Sequence, residues 1–541
     1  MRYLTTTLLF ILLICTAGYS YDLDIHAMVV GDKALELVET NRLTSKADGE
    51  VESAWMSPDG KWVAYATGVT DPDGVAEDDD YRENAFLLAS DGKRQIPLLP
   101  PTGSLLTGED LPPDVTEEWT VSLPSSIFTL VGPGSPWSFD SRYIVAEAQR
   151  VLTKATQRDN QPADTSAEVD EESKEQTQEN WYLVYDIKGR IVQSFRLRQG
   201  EFTLFSVAWS RDNRRFASTV HFFGPDEDSP PEPTRVKVFD IAQGSQHDIK
   251  LTGVTSSVYL FGWSQDGTSI LYNARVGSSW ELRERPLEQG NERIIIKEFG
   301  RSVSPDGRLR IVTSDKTLSI EQIGTGARTV LLKDNKEATY AWAPNSRFLI
   351  GAQSKDLSDF FGKRKTNITE LWLVSMESHA LNHLRLAPEA DFFGRSASED
   401  CRRIAYTSQG RLFVANLEWR DPTAWEKMSV GLVLTEEDNK TILLERADII
   451  ATALASIQED PGEQITDAND AKKRVEEYLE DDRKEGLFLR PGDGKDVFTY
   501  APPKDMDIMD PEKTAVGYLD AGYSWKVNIY ADGHADVVQK Q

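Results

Sequence analysis

Two cysteines in a chain of 541 residues, Cys15 and Cys401, exclude a disulfide-stapled framework. Cys15 falls in a leader-like segment, so Cys401 stands alone, occupying a turn as structural filler rather than as a nucleophile, and packing must hold the fold. Histidine is scarce as well, with six in the chain. The one close pair, His379 and His383, lies in a polar connection without the helical His-Glu-x-x-His spacing, which argues against zinc. Basic charge is outnumbered, 60 Lys and Arg against 88 Asp and Glu, for a formal charge of -28. A surface of that sign repels phosphate backbones and anionic lipid, so no nucleic acid partner is expected. Long hydrophobic runs are missing too. Leu8 to Cys15 falls far short of the roughly 20 residues that cross a bilayer, and no integral membrane span is expected once a leader is removed.

What is present is a folded composition, with 39% hydrophobic residues and 13 Trp, and a phrase that returns. Trp55-Met56-Ser57-Pro58-Asp59-Gly60 is followed by Trp137-Ser138-Phe139-Asp140-Ser141, Trp209-Ser210-Arg211-Asp212-Asn213 and Trp263-Ser264-Gln265-Asp266-Gly267. Weaker copies stand at Ser304-Pro305-Asp306-Gly307, Trp342-Ala343-Pro344-Asn345-Ser346 and Ser398-Glu399-Asp400-Cys401. Each reads strand, tight turn, strand, and each copy offers about four short strands, the size of one propeller blade. These units resemble the Pro-Asp, WD40-like repeats of TolB-like β-propellers. The resemblance implies an all-β propeller over residues 21–420, with seven blades if each copy makes one; six or eight stay open. The strand around Leu35 is expected to complete the last blade and so remove an exposed edge.

Residues 1–20 read as an export signal, from Arg2 through the apolar core to the small residues Thr16 to Ser20. The protein is then periplasmic or extracellular. A lipid anchor on Cys15 is the secondary option, since bulky Ile14 stands where a lipoprotein box prefers a small residue. Insertions interrupt the repeat at 100–135, at the acidic stretch 155–180, expected to be a disordered loop, and at Glu227 to Thr234.

From residue 421 to 541 the repeat stops, and a small α+β unit is expected. Ile442, Ala447, Ile450, Leu454 and Ile457 predict a helix over 441–458, and a second is expected over 467–481 with Val475, Tyr478 and Leu479 on one side. Short strands follow around 497–500, 515–518 and 526–530. Leu487 to Gly492, Thr514 to Tyr518 and Ile529 to Ala535 resemble the prepilin-type His-x9-Asp-Gly C-terminal segment. Gly522 stands where that pattern has His, and charged Glu445, Arg446 and Asp448 exclude a pilin stem.

Propellers of this repeat type are often fused to a serine peptidase. The chain lacks the Gly-x-Ser-x-Gly elbow, and about 120 residues after the last repeat are too few for the domain that carries it. Asp71, Asp73, Asp78 and Asp80 are able to surround a calcium ion, although an acidic exposed loop explains them equally; no other cofactor is indicated. The Asp of each repeat reads as a turn former and the Trp as packing between blades. The expected function is therefore binding or scaffolding at the cell envelope, by a monomer that contacts a protein or peptide through propeller-face loops or the channel mouth. The rival class is a glycan hydrolase with two carboxylates about 5 to 9 Å apart between aromatic walls at that mouth.

Overall fold

The computed structural model describes residues 27–540 except 70–81, 101–111, 113, 124–134, 155–174, 223–233, 252–257, 277–278, 289, 297–302, 315–316, 334–337, 359–364, 378–381, 391–394, 459–464, 466, 480–486, 492–493 and 502–513. The chain divides into two compact units. One holds Glu36–Ser378 and Asn382–Glu418, the other Val29–Leu35 and Trp419–Gln541.

The first unit is a β-propeller. Among the described residues it contains seven antiparallel sheets, one for each copy of the turn, numbered here by copy. Sheet 3 shows the plan: Glu201–Trp209, Arg215–Phe222, Arg235–Asp240 and Ser245–Ile249 lie side by side in chain order. Its middle strands, Arg215–Phe222 and Arg235–Asp240, are buried on both faces because a neighbouring sheet covers each one, whereas the outer strand Ser245–Ile249 is largely exposed. Phe216 packs with Val145 and Tyr182 of sheet 2, while the next residue, Ala217, faces Val258 and Tyr272 of sheet 4. Burial on two sides is what turns an alternating pattern into near-continuous hydrophobic runs.

Closure follows the expectation drawn from Leu35. Lys33–Arg42 pairs with Arg411–Arg420 in sheet 7, so an early strand completes a sheet begun by Arg395–Ala397 and Arg403–Ser408. The Leu43 amide donates to the Leu412 carbonyl at 2.8 Å, and the Leu412 amide to Thr44 Oγ1 at 2.9 Å.

Two insertions differ from the sequence reading. Residues 175–180, expected to be disordered, belong to the strand Glu175–Asp186, which pairs in register with Tyr143–Lys154 from Lys154↔Glu175 onward. Arg150 explains this, since it is buried and paired with Glu117 and Glu179 across three strands, which ties an apparently polar tract to the sheet. Within 100–135, Val115–Ser122 supplies Glu117 and forms the edge of that same sheet. The stretch 223–233 lies outside the described residues.

Among the described residues the second unit has three helices, α1 (Ala424–Ser429), α2 (Glu436–Gln458) and α3 (Ala468–Tyr478), and a sheet of Phe498–Tyr500, Ala515–Leu519, Trp525–Tyr530 and Ala535–Gln539. Ile442, Ala447, Ile450, Leu454 and Ile457 are all buried, as their spacing predicts. In α3 the inward residues are Ala471 and Val475. Tyr478 is 54% exposed, so it does not share the buried side assigned to it. Gly522 has φ +87, a left-handed backbone that disfavours the His of the prepilin-type pattern. Among the described residues no helix is long and apolar enough to cross a membrane.

Candidate functional site at the channel mouth

The recurring turn builds the site's frame. Ser57 Oγ donates to Asp59 Oδ1 at 2.7 Å and accepts from the Trp62 amide at 3.0 Å, while the Lys61 amide donates to the same Asp59 oxygen at 3.1 Å. Corresponding bonds recur at Ser138, Ser210, Ser264, Ser304 and Ser398. The fourth turn residue is left-handed in every copy: Gly60, Ser141, Asn213, Gly267, Gly307, Ser346 and Cys401 have φ between 56 and 73. Cys401 is thus a turn residue, fully buried, and burial pushes its thiol up to about 12, far from a reactive thiolate.

These turns also join one another. The Asp59 amide donates to Ser141 Oγ, Asp140 to Asn213 Oδ1 and Asp306 to Ser346 Oγ, at 3.0 to 3.2 Å. At two of the three copies whose left-handed residue is Gly, with no side chain to offer, arginine of the preceding copy reaches its carbonyl instead: Arg215 to Gly267 at 3.1 Å and Arg403 to Gly60 at 2.8 Å. The last of these links the seventh copy to the first. Trp side chains tie the same sheets one layer deeper, Trp137 to the Trp55 carbonyl, Trp209 to Pro136 and Trp263 to Ala208, at 2.9 to 3.0 Å. The turn Asp residues are therefore occupied as structural acceptors.

Hydrogen bonds from Ser264 and Thr268 hold the Asp266 carboxyl down at about 2, against an ordinary 3.8. A carboxyl depressed in the folded state adds stability above its unfolded pKa and loses it as pH falls through the folded value. The thermal midpoint is expected to drop between about pH 4 and 2, and Asp266→Asn to flatten that drop. An unchanged pH profile in the variant would show that this turn does not titrate with folding.

Inside the ring lies a cavity of about 160 Å³, to which all seven copies contribute. Its walls include Trp55, Trp137, Trp209, Trp263 and Trp342. At its rim stand residues that differ from copy to copy at the position after the turn Ser or Ala: Pro58, Phe139, Arg211, Pro305, Pro344 and Glu399. Arg211 and Glu399 are the charged groups in this lining. Neither has an ion pair among the described residues, and the Arg211 guanidinium lies 5.4 Å from the centre of the Phe139 ring. The aromatic walls required for a glycan site are present, but among the described residues of the lining Glu399 has no second carboxylate beside it.

Asp71, Asp73, Asp78, Asp80 and His379 lie outside the described residues, as do residues 1–20. His383 packs edge-on against Trp372 at 5.5 Å. Among the described residues no group of three or more His, Cys, Asp or Glu is arranged to hold a metal. No one of the rim residues is distinctive in the sequence; their signal is the single variable position inside a repeated turn.

No family model and no curated protein matches the chain. Among solved structures it is similar to TolB from Acinetobacter baumannii at 12% identity and TM-score 0.32, over 68% of this chain and 66% of that one, just under two thirds of its length. It is similar to oligogalacturonate lyase from Vibrio parahaemolyticus at 12% identity and TM-score 0.40, over 72% and 96%. The β-propeller domain of the Trilobed protease from Pyrococcus furiosus, with its open velcro topology, matches at 13% and 0.33, over 69% and 96%. The fold assignment rests on the seven sheets and their closing strand, and these likenesses add no residue to the site.

Proposed function

We propose that the protein is an exported, non-enzymatic binding or scaffolding protein of the cell envelope, which holds a protein or peptide partner at the mouth of its propeller channel. One observation carries this reading. The Ser–Asp turn recurs in six of the seven copies around the ring, whereas the rim position within it varies as Pro, Phe, Arg and Glu and lines an open aromatic cavity. Constant positions hold a scaffold, and variable exposed ones on that scaffold set what it binds. A glycan hydrolase is the weaker reading, because an acid and a second carboxylate are both needed and, among the described residues, the lining supplies Glu399 alone.

The test is affinity capture from the envelope fraction with the intact protein, run beside Phe139→Ala/Arg211→Gln. A partner retained by the parent and lost by the variant supports the reading. Equal capture by both, or turnover of a soluble glycan that Glu399→Gln abolishes, overturns it.

A further inference from the structure

The turn carries a second repeated feature that its fold does not require. The residue after the left-handed position is Lys61, Arg142, Arg214, Arg308, Arg347 or Arg402 in six copies, and Thr268 in the fourth. All seven are exposed. Their backbones are pinned: the Lys61 carbonyl accepts from Ser90, Arg214 from Ile241, Arg308 from Ile323, Arg347 from Met376 and Arg402 from Leu417, at 2.8 to 3.1 Å. Each of the six cations follows a cavity-lining residue by three positions in the same turn, Lys61 after Pro58 and Arg402 after Glu399 among them, in a protein of formal charge -28.

Their pairing is loose. Lys61, Arg142 and Arg402 meet the Asp of their own turn at 3.2, 2.6 and 3.9 Å, with side chains 60 to 71% exposed. Exposed pairs of this kind are worth about 0–1 kcal/mol and exchange readily for another carboxylate. Arg214, Arg308 and Arg347 have no ion pair among the described residues, and neither does the rim residue Arg211. Asn345 replaces the turn Asp beside Arg347, which leaves that cation uncompensated within its turn.

The cavity sets the second requirement. Its volume of about 160 Å³ is close to that of an engineered apolar cavity of about 150 Å³ that binds benzene. It therefore suits a single aromatic or branched aliphatic side chain. We infer that the partner is an acidic polypeptide segment that inserts one large apolar side chain among the channel tryptophans while its flanking carboxylates meet the cation ring and Arg211. Glu399 opposes such a ligand and lowers its affinity. Attraction of this sign also draws an acidic segment to the mouth against the repulsion of the remaining surface. The inference deepens the proposed function and rests on it.

The experiment uses the full chain and dye-labelled capped peptides with a central phenylalanine between aspartate pairs, lysine pairs or serine pairs, read by fluorescence anisotropy. The aspartate peptide is expected to bind at least about tenfold tighter than the lysine peptide, with a preference that fades at about 1 M salt. Arg211→Gln is expected to weaken it about fivefold and Glu399→Gln to tighten it, while alanine for the peptide phenylalanine removes binding. Equal or tighter binding of the lysine peptide, or no binding of any peptide, overturns the inference. If envelope capture still depends on Phe139 and Arg211 in that case, the functional reading survives; if capture is indifferent to them, that reading falls as well.

Discussion

Trp137→Ala is expected to destabilise the propeller by about 3–5 kcal/mol, read as a lower denaturant midpoint with the slope unchanged. Trp137 is 2% exposed and sits among Trp55, Ala64 and Leu87 of sheet 1 and Ile144, Trp181 and Leu183 of sheet 2. Truncation therefore opens a void between two sheets and also leaves the Trp55 carbonyl without its indole donor. Trp137→Phe keeps much of the burial and is expected to lose only about 1 kcal/mol, the net worth of the lost indole hydrogen bond. A loss below 1 kcal/mol for the alanine variant would mean that these tryptophans serve the channel and not the joints between sheets.

The other large effect comes from Lys237. Its side chain is 2% exposed and lies 2.6 Å from Glu201, itself 3% exposed, with Asp248 at 3.5 Å. Lys237→Met leaves the Glu201 charge buried without its ammonium partner, and the expected loss is about 3–5 kcal/mol. Adding Glu201→Gln removes the stranded charge and is expected to restore most of it. Lys61→Ala, which breaks an exposed pair with Asp59, is expected to cost at most about 1 kcal/mol. Chemical denaturation of the four proteins orders them. Similar losses for Lys237→Met and Lys61→Ala would show that burial does not set the worth of these pairs.

The scaffold was legible because its chemistry repeats. Ser57, Asp59 and Gly60 each have a local job, and a local job is written in adjacent residues. The ring of contacts between turns was not, since Asp59 to Ser141 and Arg403 to Gly60 join residues far apart in the chain. Likewise the strand at 175–180 is polar in sequence, and only the facing Arg150 shows why it is ordered. In the tail, α2 begins five residues earlier than its apolar spacing indicates. Its first turn, Glu436-Glu437-Asp438, is charged, and the signal there is a cap: Thr435 Oγ1 accepts from the Asp438 amide while Asp438 accepts from that of Thr435. The short strand Ala535–Gln539 gave no such signal and is defined by its pairing with Trp525–Tyr530. Rim residues were hidden differently. Phe139 or Glu399 alone looks like an imperfect copy of the motif, and its meaning appears once six such positions line one cavity.

The turn divides into residues that hold the ring and residues that face a partner. The most direct measurement sets Asp140→Asn beside Phe139→Ala/Arg211→Gln, recording thermal midpoint and envelope capture for both. The predicted result is a lower midpoint with capture retained for the first, and an unchanged midpoint with capture lost for the second. A folded Asp140→Asn protein that no longer captures its partner would contradict the account, for it would place function in the constant turn itself.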